Sequence, residues 1–353
     1  MLFYFGIFVA LCLLRFALQG NPSLRRKLYP WLLLALFIFV AFRFEVGCDW
    51  SGYFFQFQAQ TYSSFDDALN DREPLWWMII EGVVQLGLSY PWLNVAAAAI
   101  FFFGVHVLAR RQPDPLGFLV LLYPVLILNM PMSGIRQAAA VGVLCVAFAA
   151  FLDKRLLRFL LLVLLASTLH NSAIIFLLLA PLVQGEYSKG RLALAVLLAI
   201  PGGLALLSGD AAQMATERYI GTGVEAFGAA YRVGMLLLSG VAYFWLLRSK
   251  WLVSSPEDYK LVTIGALVML SMAVFLPVST VIGDRLAYYL VPIQAMIFAR
   301  IPYLPIRKGR GLYAAAPYLV LGLMLLIWSM MSRHFEICYV PYDSWLFGLP
   351  QTG

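Results

Sequence analysis

Apolar segments recur along the whole chain, each about as long as a helix that crosses a bilayer, and this feature constrains the fold most. The 353 residues are 62% hydrophobic and 12% charged, which excludes an ordinary soluble domain of this size. The segments are continuous rather than alternating in polarity, and that pattern excludes a transmembrane β-barrel. The sequence therefore predicts an all-α polytopic membrane protein in which residues 1–353 form a single integral membrane domain.

About 12 candidate spans, within a range of 10–13, account for the apolar segments. They are predicted over residues 2–19, 29–44, 91–110, 115–130, 134–152, 156–169, 171–184, 190–208, 231–247, 258–277, 284–300 and 312–331. The first segment has no preceding cationic stretch and no small-residue cleavage site, so we expect a retained helix rather than a signal peptide.

The distribution of the lysines indicates the orientation of the chain in the membrane. If the N-terminus lies outside and the chain crosses about 12 times, all six lysines fall on one side, which the positive-inside rule makes cytoplasmic. This asymmetry also accounts for the net charge of +7, so no nucleic-acid partner is expected. Every basic residue of the lysine or arginine type that is predicted on the outer face is an arginine: Arg43, Arg72, Arg136, Arg218, Arg232, Arg285 and Arg333.

Two segments leave alternatives open. Residues 75–90 belong to a predicted outer-face loop over residues 43–90, and we expect an interfacial or re-entrant helix there rather than a crossing that would invert the rest of the chain. Residues 156–184 form either one long tilted span or two short helices that meet at His170, and the basic residues at both ends favour two helices. About 14 helical residues extend about 21 Å, so His170 is expected below the surface of a hydrocarbon core about 30 Å thick.

The arginines near outer span ends are candidate binding groups for a phosphate-like anion, because a guanidinium presents a planar fork of donors and keeps its charge. Arg136 and Gln137 follow Ser133 and Gly134 at a predicted helix start, where free backbone N–H groups also favour an anion. A charge in such apolar surroundings needs a buried anion or a ligand.

Three further arginines have open alternatives. Arg43 and Arg232 either bind the anion or extend along the helix to the interface. Arg285 either binds the anion or forms a structural ion pair with the adjacent Asp284.

Asp49 and His170 are the candidates for proton transfer. His170 could instead bond a backbone carbonyl as a structural residue, or donate to an anion as imidazolium. Aromatic and amide side chains surround Asp49 in the sequence, and they suit either a sugar or an interfacial helix. The outer-face C-terminal tail over residues 332–353 is predicted to be a flap or an interfacial belt.

The four cysteines have no metal-site spacing and no other metal-binding motif is present, so no metal is expected. Cys48 and Cys338 fall on the same predicted side and could form a disulfide, although the sequence does not require one.

Five segments occur in an order that resembles a known family. They are FRFEVGCDWSGYFFQF (42–57), SGIRQAAAVGV (133–143), LHNSAIIFLL (169–178), DRLAYYLVP (284–292) and YVPYDSWLF (339–347). Together they resemble the EpsG-type exopolysaccharide polymerases, which are related to the O-antigen (Wzy-type) polymerases. The family usually has a threonine and a tyrosine around the first-loop aspartate, where this chain has Cys48 and Trp50.

The resemblance implies a GT-C-type glycosyltransferase architecture in the bacterial inner membrane, with the active site facing the periplasm. It implies transfer of oligosaccharide repeat units from undecaprenyl diphosphate to a sugar hydroxyl of another lipid-linked unit, without a cofactor or metal. The implied partners are the lipid-linked donor and acceptor, membrane lipid, and a chain-length regulator and flippase of the same pathway.

Within such an enzyme, Asp49 or His170 would act as the base. The candidate diphosphate- or substrate-binding residues are Arg136, Arg285, Arg232, Arg43, Gln137, Tyr53 and Tyr289. Other functions remain open, namely a lipid-linked oligosaccharide flippase, an O-antigen ligase-type transferase and a non-catalytic assembly partner. A flippase is expected to show internal repeats, and the sequence shows none at a fixed period.

Overall fold

The computed structural model describes residues 2–60, 69, 73–185, 188–190, 193, 197, 228–275 and 280–348. Most of these residues are helical. The helices are α1 (Leu2–Ala17), α2 (Pro22–Ala41), α3 (Trp50–Gln60), α4 (Pro74–Gln85), α5 (Pro91–Ala109), α6 (Pro115–Ile127), α7 (Ile135–Leu152), α8 (Leu156–Leu169), α9 (Asn171–Val183), α10 (Ala229–Ser254), α11 (Pro256–Phe275), α12 (Thr280–Ala299), α13 (Arg310–Met331) and α14 (Arg333–Tyr339). Two short strands, β1 (Arg43–Phe44) and β2 (Asp343–Ser344), pair antiparallel.

Each predicted span coincides with one of these helices, except 190–208, which lies almost entirely outside the described residues. Helix α2 begins earlier than the predicted residue 29. The side chain of Asn21 caps it by accepting a hydrogen bond from the N–H of Leu24 at 3.0 Å, and Pro22 suits the first helical turn.

Four helices of the described chain are long and apolar enough to cross a membrane by length and composition, namely α5, α7, α10 and α13. Helices α1, α6, α8 and α9 are apolar but shorter. The protein is thus a multi-pass helical membrane protein, as the sequence predicts, and the number of crossings stays a prediction.

Helix α7 lies at the centre of the packing, and nearly all of its residues are buried. Glycines let α5 approach it closely, because a Cβ atom at Gly104 would lie 1.8 Å from the backbone oxygen of Gly142. This contact fixes the position of α7 and therefore of Arg136 and Gln137 at its start.

Successive long helices run in opposite directions, so their ends form two groups. We call one the Asp114 end, where the last turn of α1 and the first turns of α2 and α6 meet around Asp114. We call the other the His170 end, where the last turn of α8 and the first turns of α7 and α12 meet near His170 and Gln137.

The predicted break at His170 is confirmed. Helix α8 ends at Leu169, His170 is extended, and α9 begins at Asn171 as a 3-10 helix that packs back against α8. Two short antiparallel helices therefore replace the alternative of one long span, and the break presents His170 between them.

Helix α4 has 12 residues, and its length of about 18 Å is less than a hydrocarbon core of about 30 Å. Trp76 on this helix is fully buried, and its ring packs edge-on against Tyr53 of α3. The interfacial or re-entrant position of this segment stays a prediction.

The C-terminal tail is attached to the first loop at the His170 end. Strand β2 pairs with β1, with Ser344 opposite Arg43, and a disulfide joins Cys48 to Cys338. The disulfide that the sequence left open is thus present. The tail is held by a strand pair and a covalent bond, which a loose flap would lack.

Candidate functional site

Arg136 pairs with Glu73 at the start of α7. The Nη1 atom of Arg136 lies 2.5 Å from Oε2 of Glu73, with 25% of the arginine side chain and 11% of the glutamate side chain exposed. The Nε atom of Arg136 is buried without a hydrogen-bond partner among the described residues. The charge that the sequence left without an anion therefore has one inside the protein, and the guanidinium keeps an unused donor.

Glu73 also connects Arg136 to the break between α8 and α9. Its second oxygen, Oε1, accepts a hydrogen bond from the backbone N–H of Asn171 at 2.8 Å. Glu73 precedes Pro74 at the start of α4, so the helix start fixes its backbone. One carboxylate thus joins the first turns of α4, α7 and α9.

His170 forms a hydrogen-bonded group with two hydroxyls. Its Nδ1 atom lies 2.7 Å from Oγ of Ser172 and 3.3 Å from the hydroxyl of Tyr289, and the two hydroxyls are 2.9 Å apart. Both ring contacts use Nδ1, so Nε2 has no hydrogen-bond partner among the described residues. A ring held on one nitrogen with the other open suits proton transfer.

The electrostatic surroundings of His170 favour its neutral form. His170 lies in the connection between α8 and α9, outside both helices. Burial lowers its pKa, and the positive charges of Arg136 and Arg285 lower it further. The imidazole therefore remains neutral at neutral pH, which argues against the imidazolium donor that the sequence left open.

Gln137 joins two helices at this end. Its Nε2 atom donates to the backbone oxygen of Arg285 at 2.6 Å and so ties the start of α7 to α12. Gln137 is buried, and its side chain sets where Arg285 lies. Its contact is therefore with the protein backbone, whereas the sequence predicted contact with substrate.

Tyr53 is buried beside the same charges. Burial raises its pKa to about 12, while the charge of Arg136 and a hydrogen bond with the Arg136 backbone act in the opposite direction. The charges of Asp49 and Arg285 also act on this phenol. Tyr53 thus keeps its proton at neutral pH and lies where the charges of three predicted site residues meet.

Asp49 lies on the exposed first loop, and its carboxylate makes no hydrogen bond or ion pair among the described residues. Its backbone N–H lies 3.3 Å from Oγ of Ser133, the residue before Gly134 at the start of α7. Gly47 allows this approach: its φ is +111°, and a Cβ atom there would lie 1.7 Å from the oxygen of Met132.

Arg232 forms an ion pair with Asp284 and joins α10 to α12, with 15% and 14% of the two side chains exposed. Its guanidinium carbon lies 5.2 Å from the ring centroid of Tyr288. The sequence left Arg285 open as a structural partner of Asp284, and it gave no sign of this pair with Arg232. The reason is that a neighbouring helix brings Arg232 to the carboxylate.

Asp49 and Arg232 both act on Tyr339 of the C-terminal tail. Burial raises the pKa of Tyr339, the Asp49 carboxylate adds to the rise, and Arg43 and Arg232 oppose it. Charges from the first loop and from α10 therefore both reach Tyr339.

Arg43 has a different environment from the other predicted arginines, because only 1% of it is exposed. Its Nε donates to the oxygens of Val46 and Met132 at 2.9 and 3.0 Å, Nη1 donates to Val40 at 2.9 Å, and Nη2 donates to Asn94 at 2.8 Å. Every guanidinium nitrogen has an acceptor within the protein. This argues against the predicted diphosphate-binding role and indicates a structural one.

The structure thus divides the predicted site residues. One connected group contains Arg136, Gln137, His170, Arg285, Tyr289 and Tyr53. Asp49 and Arg232 lie beside it, where they contact Ser133 and Asp284. Sequence reasoning missed Glu73 and Ser172, which both contact this group. The available signals were a Glu-Pro helix start and a serine two residues after the histidine. Neither signal predicts which residue the side chain contacts.

Among the described residues, one group of side chains has the composition of a metal site: Cys48, Cys338 and His334, whose ligand atoms lie within 4.8 Å of one another. The disulfide occupies both sulfurs, so in this state only the imidazole offers a strong ligand.

Comparison with known proteins identifies a family. The family model described as the EpsG family matches residues 26–344, which is nearly the whole chain. No protein of curated function and no solved structure matches the chain.

Proposed function

We propose that this chain, which belongs to the EpsG family, is a polysaccharide polymerase of the glycosyltransferase class. It would transfer an oligosaccharide repeat unit from undecaprenyl diphosphate to a sugar hydroxyl of another lipid-linked unit. The observation that carries the proposal is the group at the His170 end, where arginines, a neutral imidazole and hydroxyls meet at the end of apolar helices.

The arginines would act on the leaving group. Negative charge grows on the lipid diphosphate as the glycosidic bond breaks, and fixed guanidinium groups stabilise that charge more in the transition state than in the ground state. Arg136 and Arg285 are the first candidates, and Arg232 supports them. Gln137 would act as a positioning residue, because it holds the backbone of Arg285.

The acceptor hydroxyl needs a base, and His170 is the stronger candidate. Its lowered pKa keeps the ring neutral, and its Nε2 atom is open to a hydroxyl. Tyr289 would hold the ring through the contact at Nδ1. Asp49 is the alternative base, since its exposed carboxylate lies on the loop beside the start of α7. Tyr53 would donate to the substrate.

The proposed topology has about 12 crossings and a GT-C-type architecture, with the site facing the periplasmic side of the bacterial inner membrane. The six lysines support this orientation, because those in described helices and turns lie towards the Asp114 end. The disulfide supports it independently, since disulfides persist in oxidising compartments and this one lies at the His170 end.

The proposed reaction uses no metal, cofactor or nucleotide sugar. Its partners are the lipid-linked donor and acceptor, with membrane lipid around the helices. A chain-length regulator and a flippase of the same pathway are further proposed partners.

The test is turnover of a defined undecaprenyl-diphosphate oligosaccharide by the purified protein, with the products separated by size. A ladder of products supports the polymerase. A single product on a separate acceptor indicates a ligase-type transferase. Movement of the lipid across a vesicle membrane without a new bond indicates a flippase, and either of these last two results overturns the proposal.

A further inference from the structure

Glu73 occupies the anion-binding face of Arg136, although nothing in the proposed reaction requires a carboxylate there. One of its oxygens contacts the guanidinium at 2.5 Å and the other accepts from the backbone N–H of Asn171 at 2.8 Å. A phosphate bound at this position would use the same two kinds of donor, a guanidinium and a backbone N–H. Glu73 is therefore arranged as a phosphate would be.

The surroundings allow such an exchange. The side chain of Arg136 is 25% exposed and its Nε atom lacks a hydrogen-bond partner in the described part of the chain. The positive charge of Arg285 acts on the same neighbours as that of Arg136, namely His170 and Tyr53. Arg136, Arg285 and Glu73 thus lie near the same side chains, so an anion that enters here meets positive charge as well as the carboxylate that it would displace.

We propose that Glu73 is a specificity-determining residue, an internal carboxylate that a substrate phosphate must displace from Arg136. This inference rests on the proposed function and adds a selection step to it. A site at the end of membrane helices meets ordinary phospholipid headgroups at high concentration, and each of these carries a phosphate. A ligand binds only if its contacts with the arginines outweigh the cost of displacing Glu73. We call this cost the threshold, and the contacts of a singly charged headgroup do not reach it.

The threshold follows from competition. Displacing Glu73 costs the same free energy whichever phosphate arrives, so it weakens all phosphate ligands by a similar factor. A lipid diphosphate has two charged groups and can recover the cost through contacts with both Arg136 and Arg285. A phospholipid headgroup has only one charged group. Its affinity is therefore too low for it to fill the site, even at its high concentration in the membrane.

The experiment measures binding of two probes to the full-length protein in nanodiscs of zwitterionic lipid: undecaprenyl diphosphate and undecaprenyl monophosphate. We expect Glu73→Gln to bind both probes roughly fivefold to tenfold more tightly than the wild type, because the charge that competes for Arg136 is gone. The glutamine oxygen still accepts from Asn171. Equal or weaker binding of both probes would overturn the inference and leave Glu73 with a structural role.

A second readout uses anionic phospholipid. Adding phosphatidylglycerol to the nanodiscs should inhibit turnover by Glu73→Gln at least about fivefold more than turnover by the wild type, since the headgroup now competes for Arg136. Equal inhibition of the two proteins would contradict the threshold.

Glu81 provides a matched control. It lies on α4, the helix that Glu73 precedes, and is similarly buried, but its oxygens accept from Gln60 at 3.1 Å and Gln85 at 2.9 Å rather than from an arginine. Glu81→Gln should leave both affinities unchanged. If Glu73→Gln does not fold, Glu73→Asp serves instead, because its shorter side chain loses the 2.5 Å contact and should also tighten both probes.

Failure of this inference is distinguishable from failure of the proposed function. Tighter binding by Glu73→Gln without any polymer from the wild-type protein would keep the displaced carboxylate and reject the polymerase. Polymer formation by the wild type with no tightening in Glu73→Gln would keep the polymerase and reject the displaced carboxylate.

Discussion

Arginine–carboxylate clusters lie at both ends of the helices, and they differ in their access to solvent. At the Asp114 end, Arg15 and Arg25 contact Asp114 at 3.0 and 3.2 Å, and Arg15 and Asp114 are fully buried. At the His170 end, Arg136 contacts Glu73 at 2.5 Å, and both side chains remain partly exposed. The same residue types are therefore enclosed in one place and exchangeable in the other.

The difference indicates what each cluster does. A buried ion pair is strongly destabilised when one partner is removed, because the remaining charge has no solvent to stabilise it. Asp114 also caps α6 by accepting from the N–H of Gly117 at 2.8 Å, and Arg25 donates to Tyr303 at 2.6 Å. The Asp114 cluster thus joins helices without access to solvent, whereas the Arg136–Glu73 pair, which also joins helix starts, has the access that an exchange of partner for a ligand needs.

The largest expected effect is on stability at the Asp114 end. Asp114→Asn should lower the free energy of unfolding by about 3–5 kcal/mol, because two arginines lose their buried counter-charge. Thermal unfolding in detergent measures this. Asp153→Asn is the control, since its pair with Arg111 is 37% and 28% exposed and should cost less than about 1 kcal/mol. Equal losses in the two variants would remove the distinction between the ends.

The next effect is on catalysis at the His170 end. Arg136→Lys should reduce polymerisation by about 10²–10³-fold, because a point charge does not replace the two-pronged donor in the transition state. Its unfolding temperature should match that of the wild type. Arg333→Lys, at an exposed position, should leave the rate unchanged. A wild-type rate in Arg136→Lys would reject the diphosphate assignment.

His170 gives an effect that depends on pH. A lowered pKa means that the ring loses its proton at a lower pH than an ordinary histidine, so wild-type turnover should persist as the pH falls through about 6.5. His170→Gln should lower turnover by about 10²-fold and remove the decline at still lower pH. An unchanged pH–rate profile in this variant would leave Asp49 as the candidate base.

The smallest effect concerns the tail. Replacing both Cys48 and Cys338 with serine should lower stability by about 2 kcal/mol, because the unfolded chain regains the freedom that the cross-link removes. Unfolding with and without a reductant measures this loss. Cys12→Ser is the control, since Cys12 is a free cysteine in α1. A reductant that leaves the wild-type unfolding temperature unchanged would indicate that β1–β2 pairing alone holds the tail.

Much of the fold followed from local sequence. The helices coincide with the apolar segments, and the break at His170 followed from the basic residues that flank α8 and α9. The helix start beside Arg136 followed from Ser133 and Gly134, and the structure has Gly134 directly before the first residue of α7. These features depend on residues near one another in the chain, so short windows of sequence were enough.

The partners of the charged residues could not be predicted from local sequence. Glu73 lies 63 residues before Arg136, and Arg232 lies 52 residues before Asp284, so no local pattern connects either pair. Arg43 was predicted to support the diphosphate, and its neighbours in the chain gave no sign that Met132 and Asn94 would enclose it.

By itself, the sequence determined that this chain forms apolar helices of near-membrane length, because a backbone surrounded by hydrocarbon must satisfy its hydrogen bonds within each segment. It also determined which helix ends carry arginine. Only the tertiary structure decided that Arg43 is enclosed while Arg136 keeps a partly exposed, exchangeable partner. Packing sets the burial of each charge, and burial decides whether an ion pair is closed to solvent or can exchange its partner for a ligand.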